Sequence, residues 1–165
     1  RWAAGLLENF LSYPILAFYR SQHAQLSWLA CLVCVADACA FVMATYPEDD
    51  EDQRALKRQA AVTFAIARHL VVDFGYVLNI EPDESVKMRL DLPQFKMLMS
   101  ELEARGVRLS SCDEAWSRLS GYAQQLDPFF FGIADELLLE IPSWMPMESR
   151  LASWQPSAWD GNGHF

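Results

Sequence analysis

His69 and Asp73 stand four residues apart, so a helix would place them on one face. An imidazole beside a carboxylate is the raw material of a proton relay, or of part of a carboxylate–histidine metal site between helices. The same face carries Val62, Ile66 and Tyr76, which predicts partial burial. Asp37 is isolated within an apolar stretch, and Glu8 and His23 lie on or beside flanking segments. A buried carboxylate needs a partner, and the candidates for Asp37 are His69, His23, Arg20 and Arg68. Glu8, His23, Asp37, His69 and Asp73 are therefore expected to form a buried polar network. Its first reading is structural, with a small-ligand or proton-sensing site and a metal site as alternatives. The diiron pattern needs two Glu-x-x-His pairs, and the sequence has none, so no metal ligands are assigned.

Other chemistry finds few parts. There is no GxSxG elbow, phosphate-binding glycine loop, GxGxxG or HExxH, so no catalytic residue and no cofactor are assigned and no enzymatic activity is expected. Cys31 and Cys34 have the spacing of redox and zinc motifs, but no second pair repeats it and no strand precedes it. With Cys39 and Cys112 they are expected to be small buried thiols, a usage suited to a reducing compartment.

The elements that must position these residues read as helices. Apolar residues recur at helical spacing from Trp2 to Leu11, and Pro14 opens a second segment to Gln22. From Leu26 to Tyr46 only Ser27, Asp37 and Thr45 are polar, a run long enough to cross a bilayer. Asp37 at its middle and the absence of Lys or Arg at its C-terminal end favour a helix buried on all sides by its neighbours, with no membrane insertion. The acidic run Glu48 to Asp52 suits a helix start, and lacks the glycine and spaced Glu of a calcium loop. A long helix follows from Gln53 to Leu78, with Leu56, Ala60, Phe64, Ala67, Val71, Phe74 and Leu78 along one face. Asp91 and Pro93 open another helix that ends near Gly106, and Ser111 caps a helix carrying Trp116, Leu119, Tyr122 and Leu126. Asp127-Pro128 is expected to break or kink that helix before the apolar segment Phe129 to Ile141. The expectation is an all-α bundle of about five to seven helices over residues 1–141. The Leu26–Tyr46 and Gln53–Leu78 helices lie at its centre, and an irregular Trp/Pro-rich tail occupies 142–165.

Length and charge bound the rest. The 165 residues, 52% hydrophobic and 21% charged, suit one domain with one sizeable core. Twenty-two Asp and Glu against thirteen Lys and Arg give a net charge of −9, which repels phosphate backbones and excludes a nucleic-acid groove. Arg1-Trp2-Ala3 does not open a signal peptide, and the chain is expected to be a piece of something longer.

The string from Arg1 to Glu8, then Leu11-Ser12-Tyr13-Pro14, Tyr19-Arg20-Ser21-Gln22-His23 and Ser27-Trp28, resembles the region after the pore in bacterial potassium channel-like proteins of two-pore-domain type. Asp37 in its apolar helix, Thr63 to His69 followed by Val72-Asp73, and Ile141-Pro142-Ser143-Trp144-Met145-Pro146 extend the resemblance over nearly the whole chain. It implies a cytoplasmic C-terminal domain of a channel-like protein of the bacterial inner membrane, regulatory or assembling in role. Its implied partners are other copies of itself and its own transmembrane pore region. The alternative function is a helical sensor domain binding a metal or small ligand around Asp37, His69 and Asp73.

Overall fold

The computed structural model describes residues 27–80, Pro82 and residues 88–144, with Gly5, Glu8, Asn9, Ser12, Tyr13, Ile15 and Phe18. These residues form four helices and no strand: α1 Trp28–Thr45, α2 Glu51–Val77, α3 Leu92–Ala104 and α4 Cys112–Leu137. The all-α expectation holds. Of the two helices expected before Leu26 only scattered residues are described, and the tail beyond Trp144 lies outside the described residues.

Local chemistry fixes the helix ends. The Ser27 hydroxyl accepts the Ala30 N–H at 3.0 Å to start α1. Tyr46, held extended by the following Pro47, stops it. Asp50 accepts the Gln53 N–H at 2.8 Å, and Glu51 and Asp52 occupy the first turn of α2, so the acidic run is a helix start as its composition predicts. Asp91 and Gln94 form a reciprocal capping box at α3, with Pro93 in the first turn. Gly106, at φ 83°, takes the left-handed turn just past that helix. Ser111 stands at the N-cap of α4, but its side chain makes no capping bond.

α1 and α2 pack against each other and both against α4, while α3 rests on α4. Leu29, Leu32, Val33, Ala36, Ala40 and Ala44 of α1 meet Phe64, Ala67, Leu70, Val71 and Phe74 of α2 in a single core. Small residues on α1 let the helices approach closely, and aromatic edges fill the remainder. Trp28 stands 5.3 Å edge-on to Phe74, and Phe95 lies 5.4 Å from Trp116.

Four expectations need correction. Asp127-Pro128 does not divide the chain: α4 runs through Pro128, and Phe129 onward is its second half. Proline removes one backbone donor, but Leu126, Phe130, Ile133 and Leu137 all bury on the same stripe and hold the helix together across it. α4 is consequently a third central helix.

α1 is not buried on all sides, since Cys31, Cys34 and Ala38 face outward. Nor are the cysteines buried as expected: Cys31 and Cys34 are exposed, and Cys39 and Cys112 are half-buried. Finally, the α2 face bearing Val62, His69 and Tyr76 is exposed, with Ile66 and Asp73 half-buried. The helix is apolar on several sides, and only the Ala60–Phe64–Ala67–Val71–Phe74 stripe meets the core.

Candidate functional site

Asp37 sits at mid-length in α1, on the turn that faces α4. Its partner is Arg89, which none of the sequence candidates anticipated. Arg89 comes from the bend just before α3 and is held there by its neighbour Leu90, which is fully buried in the core. Its guanidinium grips Asp37 with both terminal nitrogens, at 2.7 and 2.8 Å, in the parallel two-bond geometry that suits arginine and carboxylate. Asp127 of α4 accepts from Nε at 3.0 Å and is 2.9 Å from the second terminal nitrogen. The Pro142 carbonyl takes a further bond at 3.2 Å, and the guanidinium carbon lies 5.7 Å from the Phe130 ring centre. Four hydrogen bonds thus engage the guanidinium, and its second terminal nitrogen is also in ion-pair contact with Asp127.

The side chains of Arg89, Asp37 and Asp127 are 6%, 17% and 3% exposed, so the centre is withdrawn from water. Burial alone would lower the arginine's pKa, but its bonds to Asp37 and the two carboxylate charges reverse that and hold it firmly protonated. The Asp37 pKa is raised too, which for a carboxyl disfavours the charged form. Burial pushes its carboxyl above the ordinary aspartate value, against the pull of Arg89, and the nearby Asp127 charge adds to the rise. Two carboxylates share one cation, leaving a net negative buried centre. Chemically the group is a clasp: it ties α1, α4, the approach to α3 and the segment after α4.

The other residues of the expected network are elsewhere. His69 is exposed and Asp73 half-buried on α2, while Glu8 is exposed. His23 lies outside the described residues. Among the described residues no three His, Cys, Asp or Glu side chains gather as a metal site would require. Burial first, then the Asp37 and Cys31 charges, push the Cys34 thiol up, away from the thiolate form that makes a cysteine reactive.

Asp127 was legible as more than a helix breaker. It falls four residues after Ala123 and three before Phe130, on the buried stripe of α4, as Asp37 falls between Ala36 and Ala40 on α1. Two acids on two apolar stripes ask for one shared cation. Arg89 had no such signal, since it lies on no helix.

No family model, curated protein or solved structure matches the chain.

Proposed function

We propose that this chain is a cytoplasmic regulatory or assembly domain of a potassium channel-like ion transport protein, at the bacterial inner membrane, acting through protein–protein contacts. The observation that carries the contact reading is the outer face of α1. The helix has a mean hydropathy of 2.0, yet only half of it is buried, and Cys31, Cys34 and Ala38 line an outward strip with no charged residue. Exposed apolar surface of this kind marks an interaction face. The pore connection rests on the resemblance of the Leu11–Trp28 and Thr63–Asp73 strings. Such a domain biases a pore only if its own contacts differ between the pore's states.

Light scattering on the chain across a concentration series is expected to show self-association that Ala38→Glu abolishes while the melting temperature stays unchanged. Ion flux from the longer protein should change when this domain is removed. A strictly monomeric chain whose removal leaves assembly and flux untouched overturns the proposal.

A further inference from the structure

A second site lies away from the Arg89 clasp and does not depend on the contacts proposed above. Where the loop before α2 meets the first turns of α2 and the middle of α4, a cavity of about 450 Å³ is lined by Arg54, Lys57, Arg58 and Arg118, with Glu48 and Tyr122. Thirteen Lys and Arg are spread over a chain of net charge −9, and four of them converge here. Among the described residues of the lining, Glu48 is the single carboxylate.

Glu48 is 2.8 Å from the Lys57 ammonium, whose side chain is only 14% exposed. The bond to Lys57, then its charge, hold the Glu48 carboxyl below its usual value, and Arg118 and Arg54 lower it further. Three cations from two helices therefore already act on one oxyanion at the mouth of the cavity. The remaining carboxylates pull from outside the lining: Glu51 binds Arg54 at 3.2 Å and Arg58 at 2.6 Å, and Glu114 binds Arg118. Each of these exposed pairs is weak and exchangeable. Each arginine also keeps unused donors in its fork.

We propose that this cavity binds a multiply charged phosphate-bearing anion, whose oxygens take the place of the Glu48 carboxylate against Lys57 and Arg118. Three guanidinium forks and one ammonium suit phosphate oxygens, and the volume is that of a small-ligand site. A soluble oligophosphate and a phosphorylated lipid headgroup share this chemistry.

The test is calorimetric titration of the 165-residue chain with inorganic pyrophosphate at low salt, beside co-sedimentation with phosphatidylcholine vesicles containing phosphatidic acid. Saturable pyrophosphate binding below about 1 mM is expected, weakened about tenfold by Arg118→Gln and tightened severalfold by Glu48→Gln, which removes the internal competitor. Both substituted side chains are largely exposed, so the melting temperature should hold. Pyrophosphate binding without vesicle binding identifies a soluble ligand, and vesicle binding displaced by pyrophosphate identifies a headgroup. Either supports the site. Absence of saturable binding in both arms, or binding indifferent to Arg118→Gln and Glu48→Gln, overturns it.

Discussion

Arg89 makes three segments of chain depend on one side chain. Removing the cation leaves Asp37 and Asp127 buried and facing each other, and breaking a buried pair in this way costs about 3–5 kcal/mol. Arg89→Leu should therefore lower the unfolding free energy by that amount in denaturant titration. The triple change Arg89→Leu, Asp37→Asn, Asp127→Asn should recover a good part of it, because the uncompensated charges go with the cation. A loss below about 1 kcal/mol for Arg89→Leu alone would show that the clasp carries little stability.

Asp37 also sets a pH dependence whose sign is the reverse of the usual salt-bridged aspartate. Its folded-state pKa is raised, so the folded chain holds the proton more tightly than the unfolded one. The associated stability is fully present below the unfolded pKa and is lost as the pH rises through the folded one. The stability of the wild type relative to Asp37→Asn should fall as the pH rises through and above the ordinary aspartate range, read as the difference between their melting temperatures. A difference that is flat or grows with pH contradicts the assignment.

At the scale of elements, the approach of α2 to α4 is limited by backbone as much as by side chains. A Cβ on Gly132 would clash with the Ile80 Cγ2, in a segment fixed by the bond from the Ile80 N–H to the Gly75 carbonyl. Ile80 is β-branched and half-buried, so it has little freedom to yield. Gly121, on the same helix, meets nothing within 4 Å. Gly132→Ala should destabilise by about 1–3 kcal/mol through overpacking, while Gly121→Ala should stabilise by about 0.5–1 kcal/mol through helix propensity. Thermal melts of the two variants moving in the same direction would refute this account of the α2–α4 packing.

For the molecule as a whole, α1 has the length and composition of a membrane span, and half of it packs against α2 and α4. Asp37 is bound within it to an arginine from a distant segment, and inserting the helix in a bilayer would strip that pair apart and bury a carboxylate in hydrocarbon. The chain should remain in solution without detergent and stay out of neutral phosphatidylcholine vesicles on flotation. Recovery only in micelles would sink this prediction.

What the sequence determined by itself was local. Helix positions follow from 3.6-residue periodicity, and starts and stops from the Glu48–Asp52 run, Asp91 and Gly106, because caps and backbone preferences act over three or four residues. Periodicity also marked Asp37 as a charge inside an apolar stripe. Only the tertiary structure decided which face of a helix apolar on several sides would be covered. It put the His69 side of α2 outward and left half of α1 open. It alone brought Arg89, Asp37 and Asp127 together across 38 and 52 residues of chain. A clasp of that kind depends on where two helices, a bend and the segment after α4 meet in space, and no spacing along the chain encodes that distance.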